Sequence, residues 1–386
     1  MKSLRERLAD KAAVNRVPIM CAFELLPVCN LSCKMCYVRK SMAEVKQAGG
    51  LKDADWWLDV AARARQEGLL YPLLTGGEPF LHPEFFKILE GMRSMGMQVS
   101  VNSNGTLIDR ETAKLLAKHR PLRINLTLYG ASEEAYQNLC GHGDAFRRVR
   151  EAVALLKEYN IPVKFNASIT PENVNDLEAM IAYAKSQDSP IQVATYMFPP
   201  IRRDETSFGK NARLSPEDAA LARVRADFLQ GEEGWFLGQA ERFSRFVPLD
   251  QLGETRQPEG ELGMRCRAGL CSFWIDWQGN MMNCGMYPSV KLDLSENFHE
   301  KWQELVEYTA QVRYAPGCMG CPNSWLCHPC IAMVSNECGD VNGTPEYLCR
   351  MNQASAKYYR EFAEKYYPNR KGIFTPEAAP QDICEL

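Results

Sequence analysis

Cys29, Cys33 and Cys36 sit together in the run Cys29-Asn30-Leu31-Ser32-Cys33-Lys34-Met35-Cys36-Tyr37. Three thiolates on one short loop can hold three irons of a cubane iron–sulfur cluster, which normally takes four cysteines. The fourth iron then has no ligand from the loop. An open metal position is a place for chemistry, as it is in catalytic rather than structural zinc sites. Cysteine is 15 of 386 residues, so this spacing would arise by chance only about 0.02 times in such a chain. A zinc knuckle or a set of buried thiols are the other uses. Zinc wants four ligands, and the run offers no fourth Cys or His.

Further polar motifs lie downstream. Gly76-Gly77-Glu78-Pro79 puts a carboxylate beside two glycines. Glycines let a backbone approach a ligand closely, and the carboxylate can receive an ammonium group. The same letters also spell a tight turn. Ser103 and Asn104, in Ser103-Asn104-Gly105-Thr106, offer groups for ribose or carboxylate oxygens, or form an Asn-Gly turn. Asn166 and Ser168 share one face of a strand. They face a ligand or satisfy each other.

A second cysteine series begins at Cys266 and continues through Cys271, Cys284, Cys318, Cys321, Cys327, Cys330 and Cys349. The stretch Phe273 to Met281 reads as a β-hairpin turning at Gln278-Gly279-Asn280, which would bring Cys271 and Cys284 together. Two Cys-x2-Cys pairs also fit structural zinc. Cys21, Cys140, Cys338 and Cys384 are left over, with Cys21 expected in the core and Cys384 a spectator.

These motifs need elements to hold them. Strand-like segments at Ile19–Leu25, Leu70–Thr75, Gln98–Asn102, Leu122–Leu128, Val163–Ile169 and Gln192–Met197 alternate with helix-like segments. The helices are expected at Asp53–Gly68, Pro83–Met95, Glu111–Lys118, Phe146–Tyr159 and Glu172–Gln187. Such alternation predicts an α/β fold with a parallel sheet and crossover helices. Ligands then bind at the C-terminal ends of the strands, where the cysteine loop and the glycine-rich motif fall. Ser215–Gln230 reads as a further helix, and Arg202-Arg203 as a pair that grips a carboxylate or a peptide backbone or else forms a solvated face, the second slightly preferred. Trp56-Trp57 is expected in the core.

Composition narrows the function. Apolar residues are 46%, charged residues 24% and the net charge is −3, ordinary for a globular protein and poor for a nucleic-acid binder. No apolar run is long enough for a bilayer. The charged stretch Met1–Asp10 has no apolar core of a secretion signal. A cytoplasmic, reducing setting follows, in which cysteines serve metals rather than disulfides.

The first run resembles the Cys-x3-Cys-x-aromatic-Cys motif of radical S-adenosylmethionine (SAM) enzymes. Met35 stands where that family usually has an aromatic residue, and Tyr37 follows one place late. The resemblance implies a partial (β/α)6 TIM-like barrel and a 4Fe-4S cluster on Cys29, Cys33 and Cys36. It implies cleavage of SAM to a 5′-deoxyadenosyl radical. Gly76, Gly77, Glu78 and Pro79 would bind the SAM amino group, with Ser103, Asn104, Thr127, Asn166 and Ser168 nearby. Thr127-Leu128-Tyr129-Gly130 sits where many relatives carry Ser-Leu-Asp-Gly, so Tyr129 replaces an acid.

The second series resembles the SPASM extension of the same enzymes, with Cys266-x12-Gly279-x4-Cys284 fitting and the Cys327–Cys330 spacing one residue short. It implies two auxiliary 4Fe-4S clusters, one on Cys266, Cys271, Cys284 and Cys330, the other on Cys318, Cys321, Cys327 and Cys349. Three clusters and SAM are then the cofactors. The implied organisation is an N-terminal segment 1–14, a radical SAM barrel 15–197, a bridge 198–260, a SPASM domain 261–365 and a tail 366–386.

SPASM enzymes mostly modify peptides, so a ribosomally made peptide is the expected substrate. A small molecule, or a sulfatase-type maturase, is the alternative. That maturase carries a basic Asp after the hairpin cysteine, and here Gly285 follows Cys284. A closed electron-transfer protein is the non-enzyme alternative. The partners implied are a flavodoxin or ferredoxin-type electron donor and a separate leader-peptide-binding protein. Only 28 residues precede Cys29, too few for a leader-binding domain.

Overall fold

A computed structural model describes residues 2–200, 202–203, 212–252, 264, 266–287, 290–295, 297–313, 316–327 and 330–370. Cys384, the tail beyond residue 370 and most of Gln251–Gly260 lie outside the described residues.

Strands β1 (Met20–Glu24), β2 (Tyr71–Thr75), β3 (Ser100–Ser103), β4 (Arg123–Leu128), β5 (Val163–Ser168) and β6 (Ile191–Ala194) pair in parallel, each with its sequence neighbour. Parallel neighbours need a crossover, which the intervening helices supply. In chain order the helices are α1 (Leu4–Val14), α2 (Met42–Gln47), α3 (Ala54–Gln66), α4 (Phe85–Ser94), α5 (Arg110–His119), α6 (Glu133–Cys140), α7 (Ala145–Glu158) and α8 (Leu177–Ser186). Asp53 and Asp109 cap α3 and α5 by accepting the N–H of Trp56 and Thr112, and Gly68, at φ +115°, stops the chain after α3. The 172–187 expectation is shortened: a 3-10 turn at Val174–Asp176 precedes α8.

Strand alternation sorts the two faces of the sheet. Phe23, Val101, Leu126 and Phe165 join the buried core with the helices, and Phe23 meets Trp57 edge-on at 5.9 Å. Ala22, Glu24, Asn125, Thr127 and Asn166 alternate with them and so take the inner face. Trp57 is core as expected.

The hairpin of β7 (Ser272–Ile275) and β8 (Asn280–Met282), followed by β9 (Leu292–Asp293), is not a separate sheet. β7 pairs in parallel with β1, giving the order β6-β5-β4-β3-β2-β1-β7-β8-β9. The edge of β1 is thereby covered rather than left exposed. Asp276 accepts the N–H groups of Gln278 and Asn280, and Gly279 takes φ +97°, which makes the turn.

Helices α9 (Pro216–Gln230) and α10 (Glu233–Ser244), then α11 (Phe298–Gln311), α12 (Pro316–Met319), α13 (Ser324–Cys327), α14 (Ile331–Cys338) and α15 (Glu346–Tyr366) complete the chain. Within the bridge, α9 and α10 share a small core with α15, built on Val224, Phe236, Phe243 and Tyr359. No described helix is long and apolar enough to cross a membrane.

Candidate active site

The first cysteine loop leaves β1 and is tied down from three sides. Glu78 N–H donates to Val28 O at 2.9 Å and Gly77 N–H to Leu26 O at 2.7 Å, so the turn after β2 runs against the loop. Ser32 and Lys34 donate to the carbonyls of Cys140 and Leu139 at the end of α6, at 2.9 and 3.1 Å. Asn104 Nδ2 donates to Asn30 Oδ1 at 2.9 Å, and Asn30 Nδ2 to Thr106 Oγ1 at 2.8 Å.

The structure gives the two glycines a reason other than ligand approach. A Cβ at Gly77 would lie 2.5 Å from the Val28 carbonyl carbon, and one at Gly76, which has φ +149°, would strike the Leu26 backbone. Both glycines serve the close pairing of two loops.

Glu78 is fully buried. It accepts Ser103 Oγ–H at 2.9 Å, Asn104 N–H at 2.8 Å and Phe80 N–H at 3.3 Å. Burial pushes its carboxyl up to about 7, against the pull of these donors. Ser103 and Asn104 are thus engaged with Glu78 and Asn30. Pro79 opens the short 3-10 turn after Glu78. Thr127 and Asn166 are register partners on β4 and β5, with Ser168 two residues on. His82 is bound to Lys52 O at 3.0 Å.

Several thiol sulfurs are placed as acceptors of backbone N–H groups: Cys29 from Leu31 at 3.4 Å, Cys36 from Arg39 at 3.3 Å, Cys284 from Met286 at 3.4 Å and Cys321 from Asn323 at 3.4 Å. Such bonds suit thiolates bound to a metal. Burial raises Cys29 to about 12, a penalty that cationic metal would offset, and burial raises Cys36 as well. Cys33 is lowered by a hydrogen bond from Cys140 and also by Tyr129. Cys140, a cysteine left over in the sequence, and Tyr129 are therefore partners of the loop. Tyr129 turns toward this thiol in the place where an acid was the usual residue.

Among the C-terminal cysteines, Cys266, Cys284 and Cys330 act on one another electrostatically. Cys271 does not join them. It is buried with Ala9, Ala12 and Ile19, and its thiol faces Ala9 O at 3.5 Å. The hairpin therefore does not bring Cys271 to Cys284, because α1 packs on the Cys271 side and draws that side chain into its own apolar cluster. Cys318, Cys321, Cys327 and Cys349 gather, with Cys338 unexpectedly beside them. Four of these thiols line a cavity of about 160 Å³ with Phe246 and Asn352, and Asn352 Nδ2 donates to Cys327 Sγ at 3.1 Å. Among the described residues, no three Cys, His, Asp or Glu side chains already close into a metal cage.

The Arg202-Arg203 expectation is corrected in part. Arg202 is not solvated: its Nη1 and Nη2 each lie 2.7 Å from an oxygen of Glu24, whose side chain is 0% exposed. The attraction of a buried carboxylate outweighs the hydration of the guanidinium.

Residues 23–184 match the Radical SAM superfamily. The antilisterial bacteriocin subtilosin biosynthesis protein AlbA of Bacillus subtilis is 24% identical over 325 residues, 81% of this chain and 67% of that protein. The AdoMet-dependent heme synthase of Methanosarcina barkeri is 27% identical over 307 residues, 75% of this chain and 84% of that protein. Streptococcus suis SuiB bound to precursor peptide SuiA superposes with TM-score 0.64 at 16% identity, covering 89% of this chain and 80% of that one. Native anSMEcpe with bound AdoMet superposes with TM-score 0.63 at 21% identity, covering 92% of this chain and 100% of that one. The structural likenesses carry the fold. The sequence match places a radical SAM domain over residues 23–184, a domain whose enzymes work with a 4Fe-4S cluster and SAM.

Proposed function

We propose that the chain uses its first cysteine loop to modify a ribosomally made peptide. The observation that carries this reading is the loop of Cys29, Cys33 and Cys36 held beside the buried carboxylate of Glu78. When bound there, a four-iron cluster and SAM supply one-electron cleavage and a hydrogen-abstracting radical. Glu78 is the receiver of the SAM ammonium, an ion that would relieve the cost of its buried charge. Ser103 and Asn104 keep that carboxylate in place. Gly76, Gly77 and Pro79 shape the turn, and Thr127, Asn166 and Ser168 line the inner face for the adenosyl group.

Two auxiliary clusters complete the reading. Cys318, Cys321, Cys327 and Cys349 hold one. Cys266, Cys284 and Cys330 hold the other, and Cys271 stays in the α1 cluster. The barrel spans 15–197, the bridge 198–260 and the SPASM domain 261–365, with a reducing cytoplasm as the setting. A flavodoxin or ferredoxin-type protein supplies electrons, and a separate protein binds the leader peptide.

Support for a peptide comes from the likeness to a bacteriocin biosynthesis protein and to a fold solved with a precursor peptide. A small-molecule substrate is the second reading, favoured by a heme synthase matched over 84% of its length. Reconstituted enzyme, SAM and a strong reductant, offered in turn a short peptide encoded beside its gene and an iron porphyrin precursor, separate the two. The expected result is a peptide product lighter by two hydrogens, seen by mass spectrometry. Turnover of the porphyrin alone would reverse the choice.

A further inference from the structure

One buried carboxylate joins parts of the chain that are distant in sequence. Glu24, at the end of β1, is held by Arg202 through two bonds of 2.7 Å and by the indole N–H of Trp274, on β7, at 3.0 Å. Arg202 reaches two cysteine loops from this anchor. Its guanidinium lies 5.6 Å from the ring centre of Tyr37, the residue after Cys36. Its Nη1 also donates to the carbonyl of Gly285, the residue after Cys284, at 3.4 Å. Trp274 lies against Gly285 on the same side, where a Cβ would meet the indole at 2.6 Å. Arg203 adds a bond to Cys36 O at 3.4 Å. Tyr37, half-buried, sits beside Glu24 and Arg202 and within electrostatic reach of Cys36 and Cys284.

We propose that Arg202 is a positioning residue. It clamps the Cys36–Tyr37 end of the first loop and the Cys284–Gly285 end of the hairpin to the common carboxylate of Glu24, and so fixes how the two thiol sets face each other. Its planar fork matches the carboxylate with two donors and still presents a face to the Tyr37 ring, which a lysine cannot do. Glu24 is the anchor, and Trp274 fastens the hairpin side alone.

The test is hydrogen exchange on the anaerobically purified full chain, followed in peptides covering 34–40 and 282–287. Arg202→Met should speed exchange of both peptides at least tenfold, with Arg202→Lys in between. Trp274→Phe should speed only the hairpin peptide. Parental rates in both peptides of Arg202→Met, or faster exchange confined to 198–203, would overturn the proposal. If Arg202→Met does not fold by circular dichroism, Arg202→Lys and Trp274→Phe decide, and parental rates in both would overturn it equally.

A second readout rests on the cluster reading above. In reconstituted protein lacking Cys29, Cys33 and Cys36, Arg202→Met should shift the electron paramagnetic resonance g values of the reduced C-terminal signal at full iron content. A parent with no such signal would sink the cluster reading, while the exchange rates would still decide the clamp. A signal superposing on the parent's would count against the clamp.

Discussion

Trp274 occupies the space that a side chain at position 285 would need. An added Cβ on Gly285 would come within 2.6 to 2.9 Å of three indole carbons. The same indole donates to Glu24. Gly285→Asp must therefore push the indole away from Glu24. A loss of about 1–3 kcal/mol, typical of overpacking, is expected in denaturant unfolding. The variant should also fail to convert a cysteine-containing sulfatase peptide to formylglycine. Parental stability together with formylglycine formation would refute this view of the site.

Gly77→Ala tests the contact between the two loops. The atom in the way belongs to the Val28 main chain, 2.5 Å from the new Cβ, and a backbone gives way far less easily than a side chain. About 2–3 kcal/mol of destabilisation is expected, with reduced iron uptake by the first loop. Unchanged melting and unchanged iron would show that the loops do not depend on this approach.

Glu78 makes stability depend on pH in a stated direction. Its folded pKa is raised from 4.5 to about 7, so the folded chain binds the proton more tightly than the unfolded chain. The group favours folding fully below about 4.5 and loses that advantage as pH rises toward 7, a swing of about 3 kcal/mol. Melting temperature of the metal-free chain should fall across that window. Glu78→Gln should flatten the slope and remove SAM binding by calorimetry. An equally steep slope in the variant would assign the effect to another group.

Cys271 and Cys284 should behave differently. Cys284 lies with Cys266 and Cys330, whereas the Cys271 thiol faces Ala9 O. Cys284→Ala is expected to lose about four irons and Cys271→Ala none, by chemical iron analysis of anaerobically reconstituted protein. Equal losses would return Cys271 to the ligand set.

Much of the barrel is legible in the sequence because its signals are local. Strand β1 was expected at Ile19–Leu25 and runs Met20–Glu24, and Asp53 and Ser215 cap their helices through bonds to residues three positions on. The cysteine loop and Glu78 were readable for the same reason. Helix α1 carries a Ser3–Glu6 capping box, a local signal that the charged composition of this stretch obscured. What escaped depends on distant partners. Arg202 and Glu24 are 178 residues apart, so two adjacent arginines read slightly better as a solvated face. The parallel pairing of β7 with β1 and the turn of Cys271 toward α1 arise from packing that no window of sequence contains.

Cleavage of SAM by this chain should depend on the three thiols beside Glu78. The direct measurement is iron content and 5′-deoxyadenosine formation with SAM and a strong reductant, for the parent and a Cys29→Ala, Cys33→Ala, Cys36→Ala variant. About twelve irons are expected in the parent, about four fewer in the variant, and deoxyadenosine from the parent alone. Zinc in place of iron, or a fully loaded parent that leaves SAM intact, would contradict it.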